Sequence, residues 1–449
     1  MKETLEQAPV APTLKQVFGY WLKLGFISFG GPAGQIAIMH HDLVEKKRWI
    51  SEKRFLHALN YCMVLPGPEA QQLATYIGWL MHRTWGGIIA GGLFVLPSLL
   101  ILMALSYVYM RFGDTPAVAG ILYGVKPAVV AIVLFAAYRV GSRSLINRAL
   151  WGIAIAAFVA IAMFKLPFPF IVLIAAISGY LINRFRPTLF AGGGGHSFTQ
   201  IRYGKAVIDD DTPTPEHARF NIKGLVKFMV IGIGIWLVAM LLLVFCFGWK
   251  ATFTQMAWFF TKAALLTFGG AYAVLPYVFQ GAVTYYAWLT PAQMMDGLAL
   301  GETTPGPLIM VVAFVGFVGG WTHSPLTDPL VAGVMSACIV TFFTFLPSFI
   351  FIFVGAPLIE STQDNLKFTA SLTAITAAVV GVIASLAVFF AQHIFWPNGM
   401  ASNEIFASID WVALVATLAA GFVLFKFKLN IIKLIGIFAL FGLIHHWLI

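Results

Sequence analysis

The chain has 449 residues, of which 60% are hydrophobic and only 10% charged, with a formal net charge of +10. Soluble domains carry about 25% charged residues, so a water-soluble enzyme or binding module is excluded. Apolar runs close to the ~20 residues a helix needs to cross hydrocarbon recur from end to end, whereas a membrane β-barrel would show short alternating segments.

The expected fold class is an all-α polytopic membrane protein. Its positive charge reads as basic cytoplasmic loops rather than as a nucleic-acid surface. Residues Met1 to Thr13 are polar and mixed in charge, with no short apolar core behind them, so no cleaved signal peptide is expected. Cys62, Cys246 and Cys338 lie inside apolar segments without metal-ligand spacing and read as small hydrophobes.

In the first half, apolar segments lie near 14–39, 55–81, 86–110, 117–138, 150–164 and 168–183. The interval 184–223 is the most polar, with Gly192 to Gly195, the Asp209-Asp210-Asp211 run and Thr212-Pro213-Thr214-Pro215, and it reads as a flexible cytoplasmic linker. One extra apolar segment, 224–248, precedes a second set near 253–280, 296–320, 330–354, 368–393, 411–425 and 429–448. The expected organisation is a first repeat (1–183), the linker (184–223), an extra transmembrane helix (224–248) and a second repeat (249–449).

The repeat is internal and visible by eye. Sliding the chain by 239 residues places Lys23 on Lys262, Ser28-Phe29-Gly30-Gly31 on Thr267-Phe268-Gly269-Gly270, Trp49 on Trp288, and Pro66-Gly67-Pro68 on Pro305-Gly306-Pro307. Beyond a short insertion near Trp321–Pro329, Leu96-Pro97-Ser98 matches Leu346-Pro347-Ser348. Each half has an even number of segments, so the single extra crossing at 224–248 would turn the second half upside down. Charge agrees: the 40–54, 82–85 and 139–148 loops are basic, while the corresponding 281–294, 320–329 and 394–410 loops contain no Lys or Arg. Basic short loops stay cytoplasmic, and inverted repeats recur among secondary transporters. For all three basic loops to share one side, the segment bearing Pro66-Gly67-Pro68 must enter and leave on that side, as a split or re-entrant helix. Such backbone is tolerated at membrane depth only where protein or a wet cavity surrounds it.

A helix restarting after Gly-Gly or Pro-Gly-Pro aims free N–H groups and its positive dipole end at the break. Two such ends meeting would bind an anion, although the same residues also serve tight packing and kinking. Lys23 and Lys262 sit five residues before the Ser/Thr of each motif, inside apolar sequence; they read either as site charges or as snorkelling side chains. Glu69 and Glu302 read either as proton carriers or as carboxylates at a helix start; they do not match each other in the repeat. Gln71, Gln72, Thr303 and Thr304 add neutral donors. The paired His40-His41 and His445-His446 read as interfacial rather than metal-binding, and no metal or cofactor is expected. No P-loop, GxSxG, HExxH or Rossmann fingerprint is present, which argues against ATP-driven transport and the common hydrolases.

Phe29-Gly30-Gly31-Pro32, Trp49, Leu65-Pro66-Gly67-Pro68-Glu69-Ala70-Gln71-Gln72-Leu73, Thr267-Phe268-Gly269-Gly270 and Thr303-Thr304-Pro305-Gly306-Pro307 together resemble the chromate ion transporter family in its long two-domain form. The resemblance covers the chain except the linker. It implies export of chromate across the bacterial inner membrane, driven by the proton motive force, with protons as coupling ion and sulfate as a competing tetrahedral dianion. The second half departs from the first, with Ala271 where the first has Pro32 and Leu308 where it has Glu69, which argues against a strictly symmetric site. The implied partners are the oxyanion, protons, the lipid bilayer and a further copy of the chain, with no nucleic acid. Passive or exchange-type oxyanion flux remains an alternative; a membrane enzyme is disfavoured, because no nucleophile–base pair or redox-cofactor site stands out.

Overall fold

The computed structural model describes residues 9–29, 31–185, 203–213, 215–268, 270–361, 369–397, 399 and 408–448. The described residues form helices joined by short turns. In the first half they are α1 (Leu14–Ile27), α2 (Gly31–His40), α3 (Glu52–Val64), α4 (Glu69–Phe112), α5 (Pro116–Ser144), α6 (Arg148–Ala162) and α7 (Phe168–Phe185). The extra helix α8 (Ile222–Phe247) follows. The second half contains α9 (Thr252–Leu266), α10 (Ala271–Phe279), α11 (Pro291–Thr303), α12 (Val311–His323), α13 (Pro329–Ser361), α14 (Thr369–Phe395), α15 (Trp411–Phe427) and α16 (Ile431–Leu448). Seven of these helices are long and apolar enough to span a bilayer. This is a multi-pass membrane protein.

The duplication persists in local structure. Each of α2 and α10 runs into one π-helical turn, His41–Lys46 and Gln280–Tyr285. Thr13 caps α1, Ser51 caps α3 and Thr290 caps α11 through side-chain oxygens that accept backbone N–H groups. Each long apolar run near the motifs is broken where glycine and proline forbid regular helix. The 14–39 run splits into α1 and α2, and its counterpart into α9 and α10.

α4 is one continuous element only in name. At His82–Arg83 the backbone leaves helical geometry, with Arg83 at φ 54° and ψ −154°, and the chain doubles back. Glycines make the reversal tight: a Cβ on Gly78 would lie 2.4 Å from the Gly86 carbonyl oxygen. The half-length leg Glu69–Met81 rises only ~20 Å, whereas Thr84–Phe112 rises ~43 Å. α3 and the first leg of α4 therefore form a broken hairpin with both open ends on one side. The interval 203–219 bridges those ends: Ser51 Oγ donates to Asp210 at 2.6 Å, Arg54 donates to the Thr212 carbonyl, and the His217 ring bonds the Trp79 carbonyl at 3.0 Å. Ile208 pairs with Ile50 in a short parallel bridge, and Ile208 and Ala218 are buried. This part of the expected flexible linker is docked, because its isolated apolar residues find a hydrophobic seat that composition does not reveal. The counterpart hairpin, α11 and α12, opens at the other end of α4, where Tyr109 donates to Asp296 and Tyr107 meets Trp321.

The two halves exchange helices. α5 packs on α15 and α16, while α14 packs on α6 and α7, and α5 meets α14 at the centre. Each half thus lends the element that matches in the repeat, α5 or α14, to the other. The exchange is sealed by glycine against backbone: a Cβ on Gly124 of α5 would stand 2.1 Å from the Phe438 carbonyl oxygen and 2.6 Å from the Gly442 Cα of α16. Gly124→Val is therefore expected to lower the thermal unfolding midpoint in detergent, at a cost of about 1–3 kcal/mol or more from overpacking. An unchanged midpoint would show that α5 and α16 are free to separate there.

Candidate functional site

All four breaks converge. Each carries a glycine in the left-handed region: Gly31 at φ 72°, Gly67 at 128°, Gly270 at 96° and Gly306 at 99°. The residues that need φ > 0 are thus those that recur in the duplication. Across the halves, Gly67 N–H donates to the Thr267 carbonyl at 2.7 Å and Gly306 N–H donates to the Ser28 carbonyl at 2.8 Å. The two bonds are equivalent by the repeat. They tie each Pro-Gly-Pro to the Ser/Thr-Phe-Gly-Gly of the other half.

The packing around them is reciprocal as well. A Cβ on Gly67 would meet Ser348 Oγ at 2.5 Å, and one on Gly306 would meet Ser98 Cβ at 2.8 Å. Ser98 and Ser348 are buried, and neither hydroxyl has a hydrogen-bond partner. The Gln72 amide donates to the Pro66 carbonyl at 2.8 Å, and the Gln35 amide donates to the Gly306 carbonyl. Pro68 and Pro307 cap the segments that restart after each break.

The structure places the remaining sequence candidates unevenly. Ser28 and Thr267 are buried at the breaks, but their hydroxyls donate back to Leu24 (2.6 Å) and Ala263 (2.7 Å). Thr303 and Thr304 likewise donate to Leu300 and Gly301. Phe29 and Phe268 are half-buried beside the breaks, and Pro305 is buried. Gln71 turns into the α4 hairpin and donates to Thr75 at 3.0 Å. Gly30 and Gly269 lie outside the described residues. Lys23 is exposed on α1, and Lys262 is half-buried with its ammonium 5.6 Å from the Trp258 ring centroid. Neither lysine lines the cavity described next.

That cavity, of about 210 Å³, lies beside the Gly31 and Gly306 breaks and is lined by Gly31, Arg139, Glu302, Thr304, Gly306 and Lys428 among others. At ~30 Å³ per water it has room for about seven water volumes, ample for a five-atom oxyanion. α2 starts at Gly31, so its unpaired N–H groups and positive dipole end are at the wall. An Arg139 guanidinium nitrogen lies 3.6 Å from where a Gly31 Cβ would stand. Glu302 accepts a hydrogen bond from Tyr272 at 2.6 Å. Glu69 sits at the partner break, its carboxylate oxygen 3.9 Å from where a Gly270 Cβ would stand. Each cross-half pair of breaks therefore holds one carboxylate, supplied from non-equivalent positions.

Sequence reasoning missed Arg139 and Lys428 as site residues. The apolar run stops at 138, which puts Arg139 in a loop, yet α5 continues to Ser144 and carries Arg139 into the protein. Lys428 ends α15 in a left-handed conformation, between two apolar segments where only folding reveals its neighbours. For Ser98 and Ser348 a signal existed, the repeated Leu-Pro-Ser.

The chain matches the family described as chromate transporter over residues 15–180 and 254–443. A chromate transport protein of Pseudomonas aeruginosa is 33% identical over 393 residues, covering 87% of this chain and 84% of that protein. One from Cupriavidus metallidurans is 30% identical over 383 residues, covering 85% and 83%. An uncharacterised transporter of Methanocaldococcus jannaschii is 25% identical over 387 residues, covering 86% of each. No solved structure matches the chain. With the match spanning both halves and both broken motifs, the chain belongs to the chromate transporter family.

Proposed function

We propose that the chain is a secondary transporter that moves chromate, or a sulfate-like tetrahedral oxyanion, out of a bacterial cell across its inner membrane. The observation that carries this reading is the cavity where the start of α2, Arg139 and Lys428 face the Gly31 and Gly306 breaks. A helix N-terminus with a guanidinium offers several convergent donors, which suits a tetrahedral dianion. The two halves have inverted topology in this reading, supported by hairpins that open at opposite ends of α4 and by the basic bias of first-half loops. Arg139 and Lys428, rather than Lys23 and Lys262, supply the site's positive charge. Glu69 and Glu302 are the carboxylates nearest the breaks and are proposed to carry the coupling proton. A dianion leaving a negative-inside cell is driven by about 2.3 kcal/mol per charge per 100 mV, so the proton motive force acts at least through its electrical part.

Chromate uptake into everted membrane vesicles, with respiration on and off and with excess sulfate, tests the proposal. Saturable, energy-dependent uptake that sulfate depresses and that vector-only vesicles lack is the expected result. Uptake that follows voltage alone and does not saturate would replace the carrier with a passive pore, and no uptake above control would remove the oxyanion assignment.

A further inference from the structure

A second cavity, of about 890 Å³, lies at the other end of the same helices. The first cavity takes Gly301 and Glu302 from the end of α11, Arg139 from the end of α5, and Ile431 and Ile432 from the start of α16. The second takes Gln293 and Asp296 from the start of α11, Tyr123 and Lys126 from the first half of α5, and His445 and His446 from the end of α16. Between Lys126 and Arg139, α5 rises roughly 20 Å, most of a ~30 Å hydrocarbon core. The two cavities are therefore opposite ends of one seam between α5, α11 and α16.

The second cavity contains an incomplete ion pair. Asp296 is 3% exposed. Its Oδ2 accepts a hydrogen bond from Tyr109 at 3.0 Å, while its Oδ1 receives none and stands 3.7 Å from Lys126 Nζ. A charge-assisted N–H···O bond closes to about 2.7–2.9 Å, so Lys126 is held near the carboxylate without being fully engaged. Other groups facing Asp296 come from each neighbour: Tyr109 and Asp114 from α4 and the turn after it, Tyr123 from α5, and His445 and His446 from α16. The Tyr123 hydroxyl is committed to Asp410 at 2.9 Å, and its ring stacks on His445. α12 presents apolar Phe314 at Gly297, and His393 of α14 is bonded to its own helix at the Phe389 carbonyl. The pair has no counterpart in the repeat, where His57 and Thr376 occupy the equivalent positions.

We propose that the second cavity is a proton-gated oxyanion site, in which the Asp296 carboxylate and the transported anion compete for Lys126. With Asp296 ionised, Lys126 is neutralised and the cavity holds no tetrahedral dianion. A proton taken up from bulk solvent onto Oδ1 cancels that charge and frees Lys126, with His445 and His446 nearby, to bind the anion. The inference rests on the oxyanion reading and deepens it: anion and proton bind together, each favouring the other by the same factor. One proton moving with one dianion leaves a net charge of −1, which a negative-inside potential still drives outward.

The test is sulfate binding to the purified full-length protein by titration calorimetry across the neutral pH range, where sulfate stays a dianion. In the wild type, one class of sites is expected to weaken by up to about tenfold per pH unit, the slope of a single linked proton. Asp296→Asn, which keeps an acceptor for Tyr109, should retain that class and flatten its pH dependence. Lys126→Gln should remove the class and lower the stoichiometry, while Lys126→Arg should preserve it and so exclude misfolding as the cause. An Asp296→Asn protein with the wild-type slope, or a Lys126→Gln protein with unchanged stoichiometry, overturns the proposal and leaves the first cavity's reading intact. Wild-type protein that binds sulfate at no pH overturns both.

Discussion

Arg139→Gln is expected to reduce chromate uptake into everted vesicles by between roughly tenfold and a hundredfold, while Lys23→Ala changes it by less than about twofold. The difference follows from placement. Arg139 lies where α5 passes the Gly31 break and lines the cavity with Gly306, Thr304 and Lys428. A hydrogen bond from a charged donor is worth about 1.5–3 kcal/mol, and every 1.4 kcal/mol is a factor of ten in affinity. Gln keeps much of the length and a donor but loses the charge and the guanidinium fork. Arg139→Lys keeps the charge without the fork and should fall between the two. Since Arg139 sits on a cavity wall rather than in the apolar core, its replacement leaves expression and unfolding midpoint near wild type. Lys23 projects from the exposed face of α1, away from the cavity lining. Wild-type rates in Arg139→Gln, or an equal loss in Lys23→Ala, would move the site away from this cavity.

The contrast between Arg139 and Lys23 shows what the sequence exposes and what it hides. The Gly-Gly and Pro-Gly-Pro breaks were legible because φ > 0 and missing N–H groups are properties of residue type, and because duplication printed them twice. The class of fold was legible because hydrocarbon thickness sets helix length. Charge placement was not: a lysine inside an apolar run faces in or out according to helix phase, and α1 buries Val17, Tyr20, Trp21 and Leu24 while turning Lys23 outward. Arg139 reads as a loop residue until α5 is seen to outlast its apolar stretch. The Asp296–Lys126 pair joins residues from different halves, and the exchange of α5 against α16 that creates it leaves no mark in periodicity. The docked interval 203–219 is similar, since single apolar residues such as Ile208 and Ala218 do not register against Asp, Pro and Gly neighbours.

Gly306→Ala is expected to lower both the unfolding midpoint and transport, and to do so by more than Gly67→Ala. Two costs add at each position. An alanine held at φ 99° or 128° lies outside the small left-handed basin open to L-residues, and such strain costs on the order of 1–3 kcal/mol. The methyl also enters filled space. At Gly67 it meets the ends of side chains, Ser348 Oγ at 2.5 Å and Gln72 Nε2 at 2.6 Å, which can rotate aside. At Gly306 it meets Ser98 Cβ at 2.8 Å and the Phe94 carbonyl oxygen at 3.5 Å, which are fixed to the α4 backbone. Relief there requires α4 to move away from the break, lengthening the Gly306 N–H bond to Ser28 and opening the cavity wall. A double-mutant cycle separates the terms. Ser98→Gly should recover the packing part of the Gly306→Ala loss while leaving the dihedral part, despite its own cost of up to about 1 kcal/mol as a helix glycine. Ser348→Gly should help Gly67→Ala and do nothing for Gly306→Ala. Equal rescue by either serine variant would mean that the two breaks are not separately packed, and the reciprocal seating of each Pro-Gly-Pro on the other half would have to be abandoned.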